Sequence, residues 1–526
     1  MVSCPYKERW RRTVRMVADE VFCGLPRMEA DRGVPRLRVL SPNTRCLKPE
    51  SRAAGRALLR NEYSDEVRNK AVKRAHYKDF AGARPASAWV EDKEDEETIM
   101  SGKEKVPEPE FVAFVGIDWA DQKHVWSWQK ADSTEREAGE LEHRPEAVEA
   151  WVGELCRRFG HGPIAVAVEQ TKGALVYMLR KYECLHLYPV PSTMSASMRA
   201  ALYPSGAKDD PRDADLLLEL LQLHRDKLRR LTPDNEATRR VQNLVEERRK
   251  LVEEKTAQLN RLTGYLKVYF PQMLEWFAKL DTKLVCDFLE RWPSLEELQQ
   301  VRPGEVKKFF RHRRGRHGEL TEWRMDGISQ AMPAIQDRSV IEAKRTVVQV
   351  IAQLLRTLLE GIATLDRKIG EAAEAHPDFF IFQSLPGAGA ALAPRLLAAF
   401  GSQRDRYGSA NEVQKYSGIA PVTERSGKRK WVHFRWACSK FLRQSFHEWA
   451  AHSIGQSAWA RAYYQRQRER GKEHHAAIRG LAFKWIRIVF RCWQDGVAYD
   501  ESRYLAALAK RGSHLTSTCA AAAVSM

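Results

Sequence analysis

The chain has 526 residues, too many for one hydrophobic core, so two to four domains are expected. Lysine and arginine outnumber aspartate and glutamate 87 to 69, a net +18, which favours a polyanionic partner such as nucleic acid. No apolar run reaches membrane-spanning length and no signal-peptide core opens the chain. Nine scattered cysteines without a CxxC pair argue against a zinc site or a disulfide framework, so a reducing cytoplasm is the expected compartment.

Residues 1–90 carry 20 Lys/Arg against 10 Asp/Glu with no sustained period, and the acidic run Glu91–Glu97 follows. Residues 1–108 therefore read as a basic, disordered extension, with Met100 an alternative start. The organising stretch comes next: Phe111–Asp118, FVAFVGID, in which six of the first seven residues are apolar and an aspartate closes the run. That pattern suits a strand buried on both faces. Asp121–His124 then mark a turn, and VWSW resumes as the second arm of a hairpin. A third strand is expected over 135–142, a helix over Pro145–Phe159, a strand over Ile164–Val168, a helix over 172–183, and a strand over 185–190. Alternation of this kind gives a mixed sheet with flanking helices, in the order of a ribonuclease H-like fold.

Two acids stand at strand ends, Asp118 and Glu169, and KDDPRDAD places Asp210 and Asp213 three apart on one face of a helix entry. Helix capping accounts for one or two acids of the last motif but not for the strand-end pair. Oxygen ligands so arranged suit hard divalent cations, and two ions about 4 Å apart can clamp the attacking and leaving oxygens of a phosphoryl transfer.

Apolar residues then recur at threes, fours and sevens over Glu236–Val268 and again over Ile341–Ile369, the pattern of a long antiparallel coiled coil. Between them lie Trp276, Phe288 and Trp292, then the basic cluster Phe309–His317, whose His312 and His317 have no metal-ligand spacing. Gly387 and Gly389 precede a helix in LPGAGAALAPRLLAAFG, like the hairpin of a helix-hairpin-helix element. There free backbone N–H groups would meet a phosphate, with tight helix packing as the alternative. In YSGIAPVTERSGKRKWVHFR, Ser426 sits beside Lys428, Arg429, Lys430 and Arg435. A serine among cations suits attack on a phosphodiester.

GIDWADQKH, AVEQTKG, KDDPRDA, LPGAGAALAPRLLAAFG, YSGIAPVTERSGKRK, SKFLRQSFHEWA and AFKWIRIVF together resemble the DEDD-type transposases of bacterial insertion sequences, the IS-one-ten group. The resemblance spans about residues 110–495 with every motif in order. It implies a RuvC-like catalytic domain over 109–232, a coiled-coil hairpin over 233–375, a mainly helical transposase domain over 376–512 that supplies a catalytic serine, and a tail over 513–526. It also implies Asp118, Glu169, Asp210 and Asp213 as catalytic ligands of one or two Mg²⁺ ions, with Ser426 as nucleophile. The third motif departs from the family's K-T-D-x-x-D-A, since Asp209 replaces the threonine, and spacing to Asp213–Ala214 favours Asp210 as the ligand. Lys208, Gly387, Gly389, Lys428, Arg429, Lys430 and Arg435 are the candidate nucleic-acid contacts. The implied partners are double-stranded DNA at the element ends and target, a structured guide RNA, and further copies of the chain in a dimer or tetramer. Two other readings use the same residues: a hydrolytic nuclease of the Holliday-junction-resolvase type, which needs no serine, and a binding protein without catalysis.

Overall fold

The computed structural model describes residues 108–203, 209–314 and 318–512, so the expected N-terminal extension, Lys208, residues 315–317 of the basic cluster and the C-terminal tail lie outside them. All the described residues belong to one compact unit. Its first part is a five-stranded sheet of β1 (Ala113–Asp118), β2 (Lys123–Lys130), β3 (Arg136–Glu142), β4 (Ile164–Val168) and β5 (Leu185–Pro189). The order is β3-β2-β1-β4-β5, with β1, β4 and β5 parallel and the β1–β2–β3 meander antiparallel.

Both faces are covered, which is why β1 and β4 read as continuous apolar runs. On one face Val115, Ile117, Val166 and Val168 pack with Val148, Val152 and Leu155 of α1 (Pro145–Arg158) and Leu175 and Leu179 of α2 (Ala174–Leu179). The remaining helices of this part are α3 (Ser192–Leu202) and α4 (Asp210–His224). On the other face Phe111, Ala165 and Ala167 meet Leu216, Leu217, Leu220 and Leu221 of α4. The contact is close at Gly116, where a Cβ would stand 2.2 Å from the Ala214 carbonyl oxygen and 2.6 Å from the Leu218 nitrogen. Backbone cannot yield as a side chain would. Gly116→Val is therefore expected to destabilise the protein by about 3 kcal/mol, at the upper end of overpacking costs, and to push α4 off the sheet. Urea denaturation checks the first effect, and faster amide hydrogen exchange along α4 the second.

Two long helices follow, α5 (Glu236–Tyr269) and, after α6 (Gln272–Trp276), α7 (Lys283–Arg291), α8 (Leu295–Gln299), α9 (Pro303–Arg314) and α10 (Gly318–Gln330), the 37-residue α11 (Arg338–Glu374). They run antiparallel. Val241 and Val245 early in α5 share a core with Ile369, Ala372 and Ala373 late in α11. Leu262 and Leu266 late in α5 share another with Val348, Ile351 and Leu355 early in α11. Midway, Arg248 pairs with Asp366 and Gly361 lies against Leu251. The repeat is less regular than its sequence reads, because Val252 and Leu259 at the middle are only half-buried and the two ends are clamped by separate cores. Trp276, Phe288 and Trp292 fill the core at the far end of the pair. By length and composition alone, one stretch of α11 is long and apolar enough to cross a membrane. Its Val348, Ile351, Ala352 and Leu355 are nevertheless buried within that same helical core.

The last part comprises α12 (Phe379–Gln383), α13 (Gly389–Phe400), α14 (Ala410–Tyr416), the hairpin β6 (Val422–Ser426) and β7 (Arg429–His433), α15 (Lys440–Ser453), α16 (Ala458–Glu469), α17 (His474–Asp495) and α18 (Glu501–Lys510). Four fully buried tryptophans anchor it, and each indole N–H finds an acceptor as burial requires. Trp449 donates to the Pro386 carbonyl, Trp459 to the Tyr499 hydroxyl, Trp485 to Ser453 Oγ and Trp493 to the Gly401 carbonyl.

Candidate metal centre and nucleophile hairpin

Parallel pairing sets Ile117 beside Val168, so the next residues, Asp118 and Glu169, leave the sheet at the same edge. α4 opens at Asp210 with Pro211 in its first turn, where a missing N–H costs nothing. Gly116 lets that helix lie directly on β1. The result is a cluster of Asp118, Asp210 and Asp213, each with a carboxylate oxygen within 4.8 Å of the others. Asp213 is 4% exposed, Asp118 half-buried and Asp210 exposed. Asp209 is turned to Arg212, at 3.7 Å, and is not one of the three.

Glu169 stands outside that trio, and its Oε1 accepts a hydrogen bond from Ser195 Oγ at 2.6 Å. Four residues on, Arg199 Nε donates to Asp213 Oδ1, also at 2.6 Å. One face of α3 thus addresses two of the four acids. Neither residue stood out in STMSASMRAAL, which has no metal or nucleotide motif. The one available signal was a serine and an arginine at i and i+4 on a helix entering the KDDPRDAD segment. The donor set is all carboxylate, partly buried and convergent, and it fits a hard divalent cation that takes oxygen ligands.

A second polar pair braces the turn that follows Asp118. The Ala120 N–H donates to His124 Nδ1 at 3.2 Å, so His124 carries its proton on Nε2 and donates it to His143 Nδ1 at 2.9 Å. His124 is fully buried, and burial first, the neighbouring His143 second, push its pKa down to about 4. Folding favours the neutral ring. This contribution is therefore complete above pH 6.5, the unfolded value, and is lost progressively as pH falls toward 4. Up to about 3 kcal/mol rides on that window. His447 shifts in the same direction, so the check is a difference. Between pH 7 and 4.5, His124→Gln should lose less stability in urea denaturation than the unsubstituted protein.

Ser426 closes β6 and is exposed. A two-residue turn, Gly427–Lys428, joins it to β7, and Gly427 at φ +55° supplies the positive φ that tight hairpins of the II′ kind demand at their first position. Ser426 pairs with Arg429, and Glu424 with Trp431. Alternation then puts Ser426, Arg429 and Trp431 on one face of the hairpin and Arg425 and Lys430 on the other. Lys428, Arg429 and Lys430 are exposed, and so is Trp431, at 49%. A large aromatic left open among cations has the chemistry to stack an unpaired base, a feature that the charge pattern alone did not disclose. Arg435 braces the base of the hairpin, donating through Nε to the Ala420 carbonyl at 3.3 Å and through Nη2 to that of Pro421 at 3.4 Å. Gly387 rests on the backbone of His452 and Ser453, where a Cβ would meet atoms at 2.6 Å, and its N–H donates to Gln456 Oε1 at 2.8 Å. That N–H is engaged in packing helices together, while Gly389 opens α13 with φ +52° and open space beside it. The structure brings three of the four acids together, places the fourth on the same sheet edge, and sets Ser426 on a separate hairpin rooted in the C-terminal core.

Comparison with known proteins gives matches over both regions. A family model for DEDD-type transposases of the IS110 group, described as "Transposase", matches residues 115–271. One described as "Transposase IS116/IS110/IS902 family" matches residues 381–465. The chain is 27% identical over 419 residues to the mini-circle putative transposase for IS117 of Streptomyces coelicolor, covering 76% of this chain and 98% of that protein. It is 28% identical over 306 residues to the uncharacterized 43.6 kDa protein of insertion element IS110 from the same species, covering 57% of this chain and 74% of that protein. It is 23% identical over 317 residues to the uncharacterized 42 kDa protein of insertion element IS900 from Mycobacterium paratuberculosis, covering 59% and 77%.

Proposed function

Because this chain belongs to the IS110/IS116/IS902 family of transposases, we propose that it exchanges DNA strands between an insertion element and its target by transesterification, with Ser426 as nucleophile and the acid cluster as its metal centre. The observation that carries this reading is the convergence of Asp118, Asp210 and Asp213 at the end of β1, in a chain that also presents an exposed serine on a cationic hairpin. Asp118, Asp210 and Asp213, with Glu169 as the fourth oxygen donor at the same edge, would hold one or two Mg²⁺ ions. A divalent cation there lowers the pKa of an attacking hydroxyl and neutralises charge on the transferring phosphate.

The chain's own groups do the rest. Ser426 Oγ forms a bond to phosphorus as the P–O3′ bond breaks, and the hydroxyl proton ends on the departing 3′ oxygen. In the joining step a 3′-hydroxyl attacks that phosphorus and Oγ leaves with a proton. The phosphodiester count is conserved, so no external energy is needed. Arg429, the cross-strand partner of Ser426, and Lys428 in the turn grip the scissile backbone, and Trp431 offers a face to an unpaired base. The acids and the serine lie on different parts of the fold, so a complete site is assembled on DNA and a structured guide RNA, within one chain or between protomers of a dimer or tetramer. The experiment supplies the full chain with Mg²⁺, element-end and target duplexes, and RNA transcribed from the element's non-coding end. Joined strands support this reading. Nicked products whose new ends carry oxygen from labelled water would assign the acids to a hydrolytic nuclease instead.

A further inference from the structure

Among the described residues, α3 sets a cation directly on the acid cluster. Asp213 is the most buried of the three acids, at 4% exposure, and a carboxylate so placed needs a charged partner. Arg199 Nε meets its Oδ1 at 2.6 Å. Oxygens of Asp118 and Asp210 stand within 4.8 Å of an Asp213 oxygen, so the charge of Arg199 offsets more than one carboxylate. Ser195 performs the corresponding contact on Glu169 with a neutral hydroxyl, so the same helix face holds one acid by charge and another by a simple hydrogen bond. Arg212, on α4 itself, pairs with Asp209, which is not one of the trio.

We propose that Arg199 is the built-in counter-cation of this centre, a positioning residue that holds Asp213 in the metal-free protein and lowers the affinity of the cluster for a divalent cation. The inference rests on the reading of the acids as metal ligands. A guanidinium stays charged at any working pH, so its effect on an incoming cation is repulsive throughout. Screening at the partly exposed side of the pair reduces that repulsion without abolishing it. The arrangement keeps the fold intact when no metal is present, and it keeps the cluster from binding stray cations tightly.

The test is calorimetric Mn²⁺ binding to the full chain after EDTA treatment, with thermal unfolding measured in EDTA and across a Mn²⁺ series. Arg199→Gln, which keeps a hydrogen-bond donor but removes the charge, should bind Mn²⁺ at least tenfold more tightly, while losing melting temperature in EDTA and regaining it at lower Mn²⁺ than the unsubstituted protein needs. Arg199→Lys should bind as the unsubstituted protein does, and Ser195→Ala should show no tightening. Unchanged or weaker binding by Arg199→Gln overturns the proposal, as does a variant that no Mn²⁺ concentration restores, which would make Arg199 purely structural. If the unsubstituted protein binds no Mn²⁺ at all, the metal reading of the acids is what fails. If it binds and the glutamine variant matches it, only the role of Arg199 fails.

Discussion

Asp118→Ala is expected to abolish strand joining, with a rate loss of at least about a thousandfold, while leaving the fold intact. A ligand carboxylate contributes several kcal/mol of charge stabilisation to a phosphoryl transfer through the ion it holds, and about 4 kcal/mol corresponds to that loss. The fold should tolerate the change because Asp118 ends its strand half-buried, and the backbone pairing of β1 with β2 and β4 does not depend on its side chain. In EDTA the variant should melt at the same temperature as the unsubstituted protein or slightly higher, since removing one of three clustered carboxylates relieves repulsion. Glu169→Ala should lose joining as well, although Glu169 is met in the grip of Ser195 rather than inside the trio. Joining by either variant at the unsubstituted rate in Mg²⁺ would remove that acid from the centre.

The second large effect is that of Ser426→Ala. The side chain is exposed at a hairpin turn, so its removal should alter stability by no more than about 0.5 kcal/mol. Joining should nevertheless disappear, because water cannot replace a nucleophile whose product must remain an ester able to react again. Nucleic-acid binding should be nearly unchanged, since Lys428, Arg429 and Lys430 remain. Arg429→Ala offers the contrast, weakening both binding and reaction.

The strands of the sheet were legible because burial on both faces turns a strand into an unbroken apolar run, as in Phe111–Asp118 and Ile164–Val168. α1 was expected over Pro145–Phe159 and runs from Pro145 to Arg158, the proline sitting in the first turn. The helix expected over 172–183 is shorter at both ends, Ala174–Leu179, and Gly173 at φ +139° accounts for its later start. In the site, strand-end position and i, i+3 spacing pointed to Asp118, Asp210 and Asp213, whereas Ser195 and Arg199 act across elements and leave no period in the sequence. Gly116 looked like a lapse in an apolar run. Its reason, a backbone lying on backbone, exists only once α4 has docked. Ser426 was singled out by resemblance and by its cationic neighbours. What the structure adds is the turn that presents it and the shared face with Arg429 and Trp431.

The joint role of serine and acids is tested most directly by mass spectrometry of the protein after reaction with a nicked element-end duplex, which traps a covalent link by losing the strand needed to reverse it. The unsubstituted chain in Mg²⁺ should yield a peptide carrying nucleotide on Ser426, and Asp118→Ala and Ser426→Ala should yield none. Strand joining without any protein-linked nucleotide, or a link on another residue, would contradict the account.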